Sequence, residues 1–345
     1  MTFIKNRILF RADGNSKIGL GHIMRCIALS QMLRGDFHCS FIISHPSESL
    51  KTIIAPFGEL IELKSMDMDG ELLEIESFVC KADIMVVDGY AFDEKYIGYL
   101  NAKVHKLVII DDFAVGYFDS AIVLNHANES LIYSYKTSRN TKVLCGFNYL
   151  MLRPEFLKAA RTNRSVCQVD TVFVCMGGAD PTNVTIKVLE GCIKTKFIKE
   201  IIVVTGSAYA NQQELASFIK KAGTDIKIVN HINVDANTMV KLISSSQICI
   251  CPASSIALEV CCVKAALLTG TTANNQKLIH EQLLNASCAN SVGDFNHVNV
   301  DEISIKLQKF ASVSLVNQMI KNQFHNIDGQ SADRILDEFK LLVAC

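Results

Sequence analysis

Gly19 and Gly21 run directly into His22 in the stretch D-G-N-S-K-I-G-L-G-H, Asp13 to His22. Glycines let backbone approach a ligand closely, and histidine is the side chain that gains and loses a proton near neutral pH. His22 falls at or near the start of a helix, where the positive dipole end disfavours an imidazolium by ~0.3–2 kcal/mol. About 1.4 kcal/mol is one pKa unit, so a neutral, proton-accepting imidazole is expected there. Asp13 in the loop and Arg25, one turn after His22, are candidates to orient this base or the substrate, and the spacing leaves open which does so. Met24 stands where a third glycine would complete G-x-G-x-x-G, and no G-K-[ST] follows, so neither a dinucleotide fingerprint nor a P-loop is present.

Further groups lie at strand ends. V-V-D-G-Y brings a carboxylate, Asp88, and a phenol, Tyr90, to one such end. C-M-G-G-A-D-P-T-N pairs Gly177 with Gly178, with Asn183 as a candidate cap for the next helix. In C-P-A-S-S-I-A-L-E-V, Ser254 or Ser255 starts a helix whose free N–H groups and hydroxyls suit a diphosphate. Glu259 lies one turn beyond Ser255 on the same face, within reach of a ribose diol beside those phosphates. T-T-A-N-N-Q adds Asn274, Asn275 and Gln276 in a polar loop. Asp111-Asp112 ends another strand. Two patterns are set aside. Asp67-Met68-Asp69 has the D-x-D form of some cation sites but lacks a companion ligand. Cys249/Cys251 and Cys261/Cys262 lack zinc spacing, so no metal is expected.

The elements that must position these groups are short apolar runs alternating with helix-period segments, the pattern of parallel sheets flanked by helices. Strands are expected at 7–12, 39–43, 60–63, 83–87, 106–110 and 121–125, then at 171–175, 200–204, 226–229, 247–251 and 265–268. The helix after the first strand covers 22–34. The series restarts after L-R-P-E-F-L-K-A-A-R-T-N-R-S, which reads as a connection. This gives an α/β chain of two doubly wound Rossmann-like domains facing a cleft: 1–160 with His22, 161–325 with the phosphate-binding helix start, and a terminal amphipathic helix in 326–345. That helix, capped at Ser331, docks on either domain.

The chain has 345 residues, more than one core usually organises, and 34 Lys+Arg against 35 Asp+Glu leave a net charge of -1. That balance disfavours a nucleic-acid partner, and an anionic ligand must be held by local devices. No apolar run reaches the ~18 residues of a membrane span. Among thirteen cysteines, Cys26, Cys80, Cys175, Cys192, Cys249 and Cys251 lie in apolar runs, as small buried hydrophobes do. The first residues show no signal-peptide cleavage pattern, so a reduced cytoplasmic setting and a monomer are the expectations.

Taken in order, R-A-D-G, I-G-L-G-H-I-M-R-C, V-V-D-G-Y, I-I-D-D, L-R-P-E-F, C-M-G-G-A-D-P-T-N, P-A-S-S with Glu259, and N-N-Q resemble the UDP-2,4-diacetamido-2,4,6-trideoxy-β-L-altropyranose hydrolases of pseudaminic acid biosynthesis. The likeness spans roughly residues 7–285. It implies a glycosyltransferase-B fold with the nucleotide on the C-terminal domain, and inverting hydrolysis at the anomeric carbon that releases UDP without metal or cofactor. By position, His22 matches the family's general base, Tyr90 the tyrosine of its D-H-Y motif and Asn275 the asparagine of its N-Q motif. Gly177, Gly178, Ser254, Ser255 and Glu259 match its nucleotide-holding positions. Gly89 replaces the usual His, Ala253-Ser254 a frequent Gly pair, and Lys264-Ala265-Ala266 the usual G-x-P. The alternatives are an inverting UDP-sugar glycosyltransferase of the same fold and a non-catalytic nucleotide-sugar-binding protein.

Overall fold

The computed structural model describes residues 6–15, 19–223 and 226–344. In chain order the elements are β1 (Arg7–Ala12), α1 (Gly21–Leu33), β2 (His38–Ser44), α2 (Glu48–Ile54), β3 (Glu59–Leu63), α3 (Met68–Glu76), β4 (Ile84–Asp88), α4 (Glu94–Lys103), β5 (Lys106–Ile110), β6 (Tyr117–Phe118), β7 (Ile122–Asn125), β8 (Lys136–Thr137), β9 (Lys142–Cys145) and α5 (Pro154–Ala160). They continue with β10 (Thr171–Val174), α6 (Val184–Ile193), β11 (Glu200–Thr205), α7 (Gln212–Lys221), β12 (Lys227–Ile232), α8 (Ala236–Ser245), β13 (Ile248–Pro252), α9 (Ser255–Val263), β14 (Ala266–Thr271), α10 (Lys277–Asn285), β15 (Asn290–Asp294), α11 (Val300–Phe310), α12 (Val313–Asn326) and α13 (Ser331–Val343).

Two compact units result: residues 1–154 with 330–345, and residues 155–329. The division therefore falls after Pro154, the first residue of α5, not at 160. The stretch read as a connection holds that helix, which buries Phe156, Leu157 and Ala160. The terminal helix α13 belongs to the first unit, where Ile335 and Phe339 are buried and Phe339 meets Phe37 edge-on. Ser331 is not its cap. Gln330 holds that position, and the Ser331 hydroxyl donates to the Leu150 carbonyl at 2.8 Å.

The first unit is built on a sheet of order β3-β2-β1-β4-β5-β7-β9, the second on β12-β11-β10-β13-β14-β15. Every neighbouring pair is parallel. Parallel strands covered on both faces must be apolar on both, and β4 and β13 are buried at every residue. In each sheet the strand order reverses beside the first strand, between β1 and β4 and between β10 and β13. Loops leaving the carboxyl ends at such a reversal part to opposite faces, and ligands bind in the crevice between them.

The second unit holds two cations, the half-buried Arg164 and the buried Lys264, with no carboxylate bonded to either among the described residues. Arg164 donates to the carbonyls of Lys264, Ser244 and Ser246, and the Lys264 ammonium donates to those of Gln323 and Ile327. These acceptors lie at the C-terminal ends of α9, α8 and α12, where orphan carbonyls and the negative dipole end favour a cation. Lys264 itself sits at φ +61° as the left-handed cap of α9, the role glycine usually fills. Of the cysteines expected in the core, Cys80 is exposed instead, in the loop between α3 and β4.

Candidate active site

β1 ends at Ala12, in register with Asp88 at the end of β4. The loop that leaves β1 returns as α1, bringing His22 and Arg25 over that carboxylate. Residues 16–18 of the loop lie outside the described residues. Within the rest, Gly19 adopts φ +83° and its amide donates to the Asn15 carbonyl at 2.8 Å, a turn only glycine makes without strain. Leu20 caps α1 without a side-chain bond, and His22 is the second residue of the helix.

His22 Nδ1 lies 2.7 Å from Asp88 Oδ1. Arg25 grips the same carboxylate in a fork, Nε to Oδ2 at 2.8 Å and Nη2 to Oδ1 at 2.7 Å. It also donates from Nη1 to Asp112 Oδ1 at 2.7 Å. The Tyr90 hydroxyl donates to Asp112 Oδ2 at 2.6 Å, and its ring meets the His22 ring edge-on at 4.7 Å. His22, Arg25, Asp88 and Asp112 are all buried, while Tyr90 is 52% exposed.

Burial alone would raise both carboxyls, yet the Arg25 guanidinium holds Asp88 and Asp112 below the usual carboxylate range. Both are ionised, so Asp88 only accepts. When the ring of His22 is neutral, its proton therefore sits on Nδ1 and its lone pair on Nε2. One guanidinium against two carboxylates leaves one negative charge, and a proton arriving on His22 would neutralise it. A second histidine, His126, adds no charge: burial, then Arg25, pushes it down to about 4, and its Nδ1 accepts from the Met151 amide at 3.3 Å.

Asp13 is not at this cluster. It accepts from Arg11 Nη1 at 2.6 Å and from the Ser44 amide at 3.0 Å. Arg11 is fully buried between Asp13, Glu71 and Tyr96, so Asp13 ties the end of β1 to the end of β2. The question of Asp13 or Arg25 has a third answer, since Asp88 holds His22 directly and Arg25 holds Asp88. Behind Tyr90 a cavity of about 370 Å³ is lined by Tyr90, Phe92, Ile109, Phe113, Val115 and Phe118 among others. Gly89 shares its wall, and a Cβ there would sit 2.7 Å from Phe92 Cε2.

In the second unit Gly177-Gly178 and Ser254-Ser255 follow β10 and β13, the neighbouring strands at the reversal. The Cys175 amide bonds the Ile250 carbonyl at 3.1 Å, holding the two strand ends together. Gly177 needs its φ of +93°. Gly178 is exposed, and the backbone of Gly206 packs so closely that a Cβ on Gly206 would fall 2.7 Å from Gly178 Cα. Ser254 is the N-cap of α9 and its side chain makes no cap bond; Ser255 is exposed. The first amides to bond back are those of Ala257 and Leu258, to the Ser254 carbonyl. Glu259 is buried, near Cys175, not solvated.

Asn183 holds the N-cap position of α6 but makes no side-chain cap bond. Asp180 satisfies the helix start instead, accepting from the Val184 and Thr185 amides at 2.9 and 2.8 Å, while Asn183 donates to Glu214. Asn274 and Asn275 are exposed after β14, and Gln276 turns back to accept from the Thr272 amide at 2.7 Å, bracing the loop. The D-x-D pair is structural: Asp67 caps α3 through the Gly70 amide and Asp69 pairs with Lys95. Sequence reasoning left Asp88 and Asp112 apart from His22 and overlooked His126. The strand order that joins them is not a local pattern, though His126 stands in N-H-A-N just after a buried strand.

No protein-family model matches the chain. Its fold is that of the glycosyltransferase-B proteins: the crystal structure of Acinetobacter baumannii MurG superposes with a TM-score of 0.71 over 98% of this chain and all of that one, at 12% identity. The S. aureus MnaA–UDP co-structure gives 0.66 over 98% of this chain and 97% of that one, at 11% identity. Among curated proteins, the chain is 28% identical over 263 residues to the UDP-2,4-diacetamido-2,4,6-trideoxy-beta-L-altropyranose hydrolase of Campylobacter jejuni, which is 75% of this chain and 89% of that protein. The likeness read from the motifs is thus found across most of both sequences. No helix of the described residues is long and apolar enough to cross a membrane.

Proposed function

We propose that the protein hydrolyses a UDP-linked 2,4-diacetamido-2,4,6-trideoxy sugar at its anomeric carbon, with inversion, in the cytoplasm, releasing UDP and the free sugar. The observation that carries the reading is His22 held by Nδ1 on Asp88 at 2.7 Å, within a buried cluster whose charge a proton would cancel. The resemblance to the Campylobacter jejuni hydrolase supplies the substrate class, and the UDP co-structure of a protein of this fold supports the nucleotide half.

His22 Nε2 removes a proton from water as the water oxygen bonds to C1. The C1–O bond to the diphosphate breaks in the same step, and UDP leaves with the electron pair. Asp88 keeps the imidazole in the accepting tautomer and stabilises the imidazolium that forms, as the aspartate of a catalytic triad does. General-base help is worth ~10²–10⁴, whereas enzymes commonly supply more than ~10⁶. The remainder falls to positioning and to leaving-group stabilisation. Backbone N–H groups at Gly178 and at the start of α9, with the hydroxyls of Ser254 and Ser255, are the candidates for the diphosphate. Glu259 is assigned to the ribose, and Tyr90 and Asn275 to the sugar.

A transferase is the second reading, favoured by the MurG likeness. Turnover in ¹⁸O-water followed by ³¹P NMR separates the two. Hydrolysis as proposed gives label at C1 of the sugar and unlabelled UDP. UMP would mean attack at phosphorus, and turnover without label at C1 would mean transfer; either result removes the proposal.

A further inference from the structure

One feature of the cluster exceeds what a base requires. Asp88 alone neutralises Arg25 and holds His22, yet a second buried carboxylate, Asp112, shares the same guanidinium through Nη1 at 2.7 Å and Nη2 at 3.2 Å. Burying a further ionised group is costly unless its bonds serve something. What Asp112 adds is an acceptor for the Tyr90 hydroxyl at 2.6 Å. Tyr90 stands two residues past β4, half exposed, and its ring is held between His22 at 4.7 Å and Phe113 at 5.0 Å. The imidazole is thus confined twice, by Asp88 at Nδ1 and by the edge contact with Tyr90. Both restraints end on Arg25 and Asp112.

We propose that Asp112 is a positioning residue common to Tyr90 and His22: it fixes the phenol against the imidazole and, through Arg25, the carboxylate that holds the imidazole. The effect of Asp112 passes through the Tyr90 hydroxyl and the Arg25 guanidinium. The kinetic part of the inference rests on the reading of His22 as the base; the placement of the ring does not.

The test uses the full chain with Asp112→Asn, Tyr90→Phe and the double variant. Tyr90→Phe keeps the ring and removes only the hydroxyl bonded to Asp112. ¹⁵N-histidine NMR reports the His22 ring directly, assigned by its absence in His22→Gln. Either single substitution is expected to shift or broaden the His22 ring resonances while those of His38 and His105, at the opposite end of the same sheet's strands, stay in place. With the diacetamido UDP-sugar, each single is expected to lower kcat about 10–100-fold, the usual cost of an outer partner, with KM within about threefold. The double is expected to fall short of the product of the singles by at least about fivefold, because the two changes break one bond. Unchanged His22 resonances in both singles, or kcat losses that simply multiply, would overturn the proposal. If Asp112→Asn does not fold, Tyr90→Phe decides alone by the His22 resonances. If wild-type protein shows no turnover, the hydrolase reading fails and the NMR still decides the positioning role.

Discussion

Asp88→Asn isolates the charge that makes His22 a base while leaving side-chain volume unchanged. The carboxylate accepts from His22 Nδ1, from Arg25 Nε and Nη2, and from the Cys26 thiol. An amide offers one oxygen and two N–H donors, so one of its ends must face a donor. With the NH₂ toward His22, the ring takes the other tautomer, and the lone pair leaves Nε2. With the oxygen toward His22, the NH₂ confronts Arg25 Nε. In both arrangements the cluster loses its net negative charge. A separation of 2.7 Å between His22 Nδ1 and Asp88 Oδ1 places the charge centres ~4 Å apart, and at an effective dielectric of ~20 the attraction is ~4 kcal/mol. Lost in the transition state, that is about 10³ in kcat. Breaking a buried pair costs ~3–5 kcal/mol of stability out of a typical ~5–15 kcal/mol, so the variant should still fold at 25 °C, which circular dichroism checks. UDP affinity by calorimetry should be unchanged, since the groups assigned to UDP lie in the other unit. A folded variant with kcat within tenfold of wild type would refute the reasoning.

Three further outcomes are expected. His126, pushed by burial and Arg25 down to about 4, binds its proton more readily in the unfolded chain, where its pKa is ~6.5. Its contribution is complete above about 6.5 and is lost as pH falls from there through about 4, about 3 kcal/mol in all; urea unfolding across this window should show a steeper loss for wild type than for His126→Gln, and equal slopes would contradict the assignment. Gly206→Ala places a methyl on the Gly178 backbone, and calorimetry should find UDP binding weakened about tenfold or more, with the His22 resonances unmoved. Asp180→Ala removes acceptors from the Val184 and Thr185 amides and the Thr185 hydroxyl and should cost about 1–2 kcal/mol in thermal or urea unfolding, the worth of a good cap.

The sequence by itself determined the class of fold, most strand positions and the groups worth watching, because those depend on local pattern. Runs such as I-M-V-V and I-C-I-C are apolar on both faces, as strands of a covered parallel sheet are. Short pieces such as Tyr117–Phe118, Lys136–Thr137 and Asn290–Asp294 escaped notice because two to five residues of mixed polarity carry no period. The sequence also marked His22, Tyr90, Gly178 and Ser255 as candidates, since their motifs, each alone compatible with an ordinary turn or helix cap, recur together in the order of the family they resemble. It did not show that Asp88, 66 residues from His22, is the group that holds it. That is decided by β4 pairing with β1 in register Ala12 to Asp88, a consequence of strand order and not of spacing. Likewise Asp13 looked like part of the base and proved to belong to Arg11, because a buried guanidinium claims the nearest carboxylate whatever the motif around it. Tertiary packing alone made Arg25 the link between two carboxylates and left the cluster one proton short of neutral.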